Sequence, residues 1–198
     1  MYRTIALLTA ASLAPLAAEA APRGGGGLSL GTMVVPNQYP LSFPKQVRNN
    51  DATGISKVRG DATVGLEGVY YMSDNHRIGA SGGLGFGSNY FDRNFKLKYA
   101  YIIDLDSAEV VIGGGIGVGK ASFTGTDEER FDASYYPLRV EAGPMLNQGF
   151  LAEQILLYAQ YNIPSNSIYT DAAGVEEDAG PGVFMTIGAE IVVMFGNF

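Results

Sequence analysis

Apolar and polar residues alternate one for one through most of this chain, and no helical stripe interrupts them. Eight stretches keep the period of two, over about 27–36, 57–72, 76–90, 96–105, 110–122, 135–146, 150–163 and 183–198. Successive side chains of a strand point to opposite faces, so each stretch presents one apolar and one polar face. Their lengths lie near or above the ~9–11 residues that a tilted strand needs to cross a bilayer. The connections alternate as well. Those at 73–75, 106–108 and 147–149 are tight, whereas 37–56, 123–134 and 164–182 are long and 91–95 is short. With an even number of antiparallel strands, the tight turns and both termini fall at one rim and the longer loops at the other. The pattern predicts an all-β, eight-stranded antiparallel transmembrane β-barrel with short periplasmic turns and longer extracellular loops.

Which face carries the oil separates a membrane barrel from a soluble one. Ala62, Val64, Leu66 and Tyr70 oppose Arg59, Asp61, Thr63 and Glu67. Ile78, Ala80, Leu84 and Phe86 oppose Arg77, Ser81, Gly83, Gly85 and Gly87, and Leu97, Tyr99, Tyr101 and Ile103 oppose Lys96, Lys98 and Asp104. Charged residues make up only 17% of the chain, against about 25% in ordinary soluble domains. The polar face is too poor in charge to be a water-facing exterior. It is rich in Gly, Ser and Thr, which suits a narrow lumen. Aromatic residues gather at strand ends, as in Tyr70-Tyr71, Tyr90-Phe91, Tyr135-Tyr136 and Phe195, where an interfacial girdle is expected.

The N-terminus reads as an address. A basic Met1-Tyr2-Arg3 precedes an uncharged run over 5–18, and Ala18-Glu19-Ala20 supplies a small-x-small cleavage site. These are the three parts of a secretory signal peptide. Residues 1–20 are expected to be removed, leaving 21–198 as a single barrel domain. Ala21-Pro22-Arg23 and Gly24 to Gly27 read as a short flexible lead-in.

Composition then removes function classes. Without cysteine there is no disulfide framework, thiolate metal site or cysteine nucleophile. A formal charge of −7 with no basic run argues against nucleic acid as a partner. Gly114-Gly115-Ile116-Gly117-Val118-Gly119-Lys120-Ala121 approaches a phosphate-binding loop, but Ala121 stands where Mg²⁺ requires Ser or Thr. Its glycines are expected to relieve crowding in the lumen. The single histidine, His76, sits beside a tight turn and belongs to no His-x-Ser pair. No cofactor, no metal site and no enzymatic activity are expected.

As an architecture the whole mature chain resembles the small outer-membrane barrels of Gram-negative bacteria: the OmpA membrane domain, OmpX and OmpW-like proteins. The resemblance rests locally on 65–75 (GLEGVYYMSDN), on 111–117 (VIGGGIG) and on the terminal Phe198. It implies an outer-membrane location and insertion by the barrel-assembly machinery, with Phe198 as the assembly signal. It also implies either a non-catalytic role in envelope structure or surface contact, or a narrow OmpW-like channel for ions or small, including hydrophobic, molecules. A lipid-modifying enzyme of this class would carry His and Ser at the extracellular end. Outer-membrane lipid and lipopolysaccharide are the expected partners, and a monomer the expected state. Phe198 is out of phase with Ile191, Val193 and Phe195, so either a bulge at Gly196-Asn197 restores the phase or the signal is imperfect.

Two groups of charges are candidate sites. Glu67, Lys98, Arg139, Glu141 and Glu190 come from alternate strands, share the inward parity and stand at similar heights above the tight turns. They are expected to form one buried network, a polar plug or a gate, with the odd acid sharing a proton or meeting water. The acidic loop runs Asp127-Glu128-Glu129 and Glu176-Glu177-Asp178 are candidate cation contacts, though their spacing matches no ordered calcium loop. Pro137 and Pro144 are expected at bulges near the rims. Glu153 is expected on the oily face near the periplasmic interface.

Overall fold

A computed structural model describes residues 23–34, 62–87, 90–105, 108–125, 128–178 and 184–198. The expected signal peptide and the connections at 37–56 and 106–107 lie outside these residues. Nine strands are present: β1 (Gly24–Val34), β2 (Ala62–Tyr71), β3 (His76–Gly87), β4 (Tyr90–Leu105), β5 (Ala108–Thr124), β6 (Arg130–Asn147), β7 (Leu151–Thr170), β8 (Glu176–Asp178) and β9 (Phe184–Asn197). Eight of them close into an antiparallel barrel. Each long strand pairs with the next, β7 pairs with β9, and β1 joins β9 from Gly24↔Asn197 to Val34↔Ile187. Closure leaves the wall without a free edge.

The alternation read in the sequence is the alternation of the wall. Leu66 is 65% exposed while its neighbour Glu67 is 6% exposed, and Val140 at 65% adjoins Glu141 at 4%. On β4 the outward series Phe95, Leu97, Tyr99, Tyr101 and Ile103 is exposed throughout. The nine-residue span from Phe95 to Ile103 matches the ~9–11 needed to cross a hydrocarbon layer. Ile112, Ile116, Val118, Leu138 and Val140 continue the apolar surface around β5 and β6. The outer wall is thus an apolar surface far larger than the patches usual on monomeric soluble proteins.

Several boundaries differ from expectation. β4 starts at Tyr90, so 91–95 is strand, and β6 starts at Arg130, so 123–134 shrinks to a connection over 125–129. β7 runs on to Thr170 and turns back as β8, which pairs Thr170↔Glu176 and Ile168↔Asp178. The expected long loops at 123–134 and 164–182 are therefore partly wall. Backbone groups there still need partners, and extending the ladder supplies them. Over 130–135 the alternation of Phe131, Ala133 and Tyr135 with polar residues runs inward, the reverse of the oily outer face. Glu176 to Asp178 form an exposed strand rather than a loose loop. At the other rim Gly24 to Gly27 are already in β1 rather than in a flexible lead-in.

The prolines are accommodated without bulges of their own. The β5–β6 ladder passes from Ile116↔Leu138 to Gly119↔Tyr135, skipping Pro137, and the β6–β7 ladder passes from Ala142↔Leu157 to Met145↔Gln154, skipping Pro144. Their opposite parities turn the missing N–H groups toward opposite neighbours, so each ladder is interrupted once. The irregularity in this region lies at Ser134/Tyr135, where Ser134 pairs Asn166 and Tyr135 pairs Pro164, leaving Ser165 over. Glu153 faces outward near the tight-turn rim, as expected, paired with Val193 and Leu146.

The lumen is filled in layers. Toward the tight turns Val69, Tyr71, Ala100, Ile102, Val111, Met145, Leu156, Val192 and Met194 form an apolar floor. At the far end Met33, Tyr90, Phe123, Phe131, Tyr135, Tyr158, Tyr169 and Phe184 form an aromatic ceiling. Phe184 meets Phe123 and Tyr135 edge to face, with centroids 5.5 and 5.2 Å apart. Three residues expected in the outer girdle, Tyr71, Tyr90 and Tyr135, thus point inward, while Tyr70, Phe91, Tyr136 and Phe195 face out. Adjacent strand residues must divide between the faces, so a pair of aromatics at a strand end cannot belong wholly to a girdle.

Glycine makes room for the ceiling rings. A Cβ on Gly119 would stand 2.3 Å from Tyr135 Cζ, and one on Gly188 would stand 2.5 Å from Tyr158 Cζ. The phosphate-loop-like run lies wholly inside β5, extended, with no helix following it.

Candidate functional site

Between floor and ceiling lies a belt of charge. β2 contributes Glu67, β4 Lys98, β6 both Arg139 and Glu141, and β9 Glu190. The two-residue spacing of Arg139 and Glu141 places both on the inward face of one strand. Glu141 is the centre: its Oε1 is 2.6 Å from Lys98 Nζ and its Oε2 is 2.6 Å from Arg139 Nε. Lys98 Nζ also donates to Glu67 Oε2 at 2.8 Å. Arg139 grips Glu190 with both terminal nitrogens, at 3.1 and 2.6 Å, the bidentate geometry that makes such pairs strong. Its guanidinium lies 3.8 Å from the centroid of the Tyr158 ring. All five residues expected to form a network do so, as one chain of ion pairs crossing the lumen.

The arrangement includes residues that the sequence reading left out of the network. Arg77 donates to Gln154 Oε1 at 2.7 Å at the lower edge of the belt. At the upper edge Lys96 donates to Asn94 Oδ1, Asn94 to Asp92 at 2.8 Å, and Tyr135 to Asp92 at 2.5 Å. Glu67, Asp92, Glu141 and Glu190 are thereby set against Arg77, Lys96, Lys98 and Arg139. Glu109, whose Oε2 is buried on the inward face of β5 near Arg77, is a further acid, so the lumen still holds one acid more than bases. Arg77 and Lys96 were legible as inward by parity; Asp92 was hidden by the placing of 91–95 in a connection.

Little space remains. One cavity of about 30 Å³ adjoins Glu67, Lys96, Arg139 and Glu190, and another of about 10 Å³ adjoins Arg77, Lys98 and Glu141. At about 10–15 Å³ per water, the first has room for two or three waters and the second for one at most. Chemically the belt can hold charge in place and exclude bulk water.

The remaining candidates lie elsewhere. Glu128 is exposed with a positive φ of 64°, Glu129 is buried, and Asp127 lies outside the described residues. Among the described residues, no group of three acidic or histidine side chains is gathered as for a metal ion. His76 stands at the tight-turn rim, its Nδ1 2.5 Å from the Tyr99 hydroxyl and its ring 5.1 Å from that of Tyr101.

Phe198 turns in beneath the floor, edge to face with Tyr71 at 6.3 Å. No bulge restores its outward phase: the β1–β9 pairing is regular through Gly25↔Gly196 and Gly24↔Asn197. A Cβ on Gly25 would come within 2.6 Å of its ring, so the missing side chain there admits it.

The chain resembles the crystal structure of Neisserial surface protein A, with a TM-score of 0.54 and 9% sequence identity, over 87% of this chain and 97% of that one. The two share the fold of a small, closed, eight-stranded antiparallel barrel. At this identity the likeness extends to the fold alone. No family model matches the chain, and no curated protein matches it.

Proposed function

We propose that this protein is a non-catalytic integral outer-membrane barrel, exported through a cleaved signal peptide, that serves envelope structure or surface contact. The observation that carries this reading is the pairing of an apolar outer wall with a filled lumen. The wall asks for a hydrocarbon environment. The floor, charge belt and ceiling leave no continuous aqueous path among the described residues, which disfavours the OmpW-like channel. His76 engages aromatic side chains at the tight-turn rim, away from the end where lipid-modifying barrels carry out chemistry. Phe198, turned inward and out of phase, is at most an imperfect assembly signal toward the insertion machinery, and the closed wall suits a monomer.

Expression in a Gram-negative host tests the location and the absence of catalysis together. The protein should fractionate with outer membranes and migrate faster in SDS gels before boiling than after. The host's lipid A should show an unchanged mass spectrum. Recovery from the soluble periplasm would refute the location, and a new lipid A species would refute the absence of catalysis.

A further inference from the structure

The basic residues of the barrel are unevenly placed. Of those described, Arg77, Lys96, Lys98 and Arg139 are buried in the lumen, and Arg23 pairs with Asp74 at the tight-turn rim. The other three, Arg93, Lys120 and Arg130, all stand on the outer wall of β4, β5 and β6, at the end away from the termini. Arg93 and Lys120 are directly opposite each other across the β4–β5 ladder. Like charges in that relation repel, and among the described residues neither meets a carboxylate. Arg130 is held by Asp132 at 2.6 Å but stays largely exposed.

The row next to this pair belongs to the hydrocarbon wall. Phe95 and Val118 pair across β4 and β5, and with Tyr136 they line an apolar groove whose upper end is Arg93, Lys120 and Ser134. Two cations therefore stand at the boundary of the apolar belt, directly above a slot open to the lipid. Opposed Cβ atoms lie about 5 Å apart in such pairs, so two long basic side chains can reach one phosphate.

We propose that Arg93 and Lys120, with Arg130 beside them, bind a phosphate of a phosphorylated glycolipid in the outer leaflet, lipid A in chemistry, with an acyl chain along Phe95, Val118 and Tyr136. The proposal rests on the outer-membrane reading above. It adds a defined lipid site on one side of the barrel, at the level where that leaflet carries its phosphates. A bound dianion would turn the Arg93–Lys120 repulsion into attraction, and the groove selects an amphiphile over a free anion.

Native mass spectrometry of the folded, detergent-purified barrel tests it, with bis-phosphorylated lipid A, phosphatidylglycerol and inorganic phosphate as probes. The parent protein should retain one lipid A, and the R93Q/K120Q double variant should bind it about tenfold more weakly or less. Both substitutions are on the exposed wall, and heat-modifiable migration verifies that the variant is folded. Equal retention by the folded variant would overturn the proposal. So would phosphatidylglycerol binding as tightly as lipid A, or displacement of the lipid by inorganic phosphate. Fractionation of parent and variant reads the location separately, so a failed lipid site and a failed outer-membrane reading give different results.

Discussion

Lys98 on β4 and Glu141 on β6 meet inside the barrel, Nζ to Oε1 at 2.6 Å, although β5 lies between their strands in the wall. The contact spans the lumen rather than following the ladder. With Arg139 on the second oxygen of Glu141 and Glu190 beyond it, β2, β4, β6 and β9 are tied together through their interior faces. Hydrogen bonding around the wall fixes register between neighbours only; this chain of pairs fixes strands that are not neighbours.

Removing Glu141 should expose the value of that centre. Glu141→Ala leaves Lys98 and Arg139 buried with one carboxylate partner fewer each, a change that costs about 3–5 kcal/mol in buried networks. Arg139→Ala should be comparably harmful, since it removes the ion-pair partner of Glu190 and leaves Glu141 with Lys98 alone. Urea unfolding in lipid vesicles measures both variants. A loss below about 1 kcal/mol for Arg139→Ala would show that the belt contributes little.

The ceiling makes a different demand. Gly119→Ala and Gly188→Ala put a methyl group against the rings of Tyr135 and Tyr158, with 2.3 and 2.5 Å to the nearest ring carbon. Overpacking of this kind costs about 1–3 kcal/mol. Combining Gly119→Ala with Tyr135→Leu should recover part of the loss, and vesicle unfolding of the single and double variants reads the coupling. Additive losses would mean that ring and methyl do not collide.

Depth along the outer wall supplies a third test. Ile116 is 61% exposed and pairs with Leu97, one outward row inside the edge at Phe95 and Val118, so Ile116→Arg should cost about 2 kcal/mol or more in a bilayer. Val118→Arg, one row nearer Lys120, should cost less. Equal costs at the two positions would contradict the placing of the hydrocarbon layer between Phe95 and Ile103.

How much of this was legible follows from what determines each feature. Parity is fixed by the period of two, so the partition of Leu66 from Glu67, and the inward facing of Gln154, Tyr158 and Gln160, could be read directly. The five-residue network followed from parity and height. Asp92 did not join it because its stretch, beyond the apolar belt, read as a connection, whereas Lys96 was legible as inward and stands one inward row above Lys98. Tyr71, Tyr90 and Tyr135 were assigned to the girdle by residue type. The parity of Tyr71 and Tyr135 pointed inward, while Tyr90 was read as the end of the stretch 76–90 and belongs instead to the inward face of β4. Phe198 turned on a contact with Gly25 and Tyr71 that no local pattern encodes. The opposition of Arg93 to Lys120 depends on cross-strand register, which one strand alone does not reveal.

The closed lumen is the claim on which the functional reading stands, and single-channel recording tests it most directly. Folded barrel, verified by heat-modifiable migration and reconstituted in a planar bilayer, should show no discrete openings at any applied voltage. Discrete openings whose conductance changes in Glu67→Gln or Arg139→Gln would contradict the account and make the charge belt a gate.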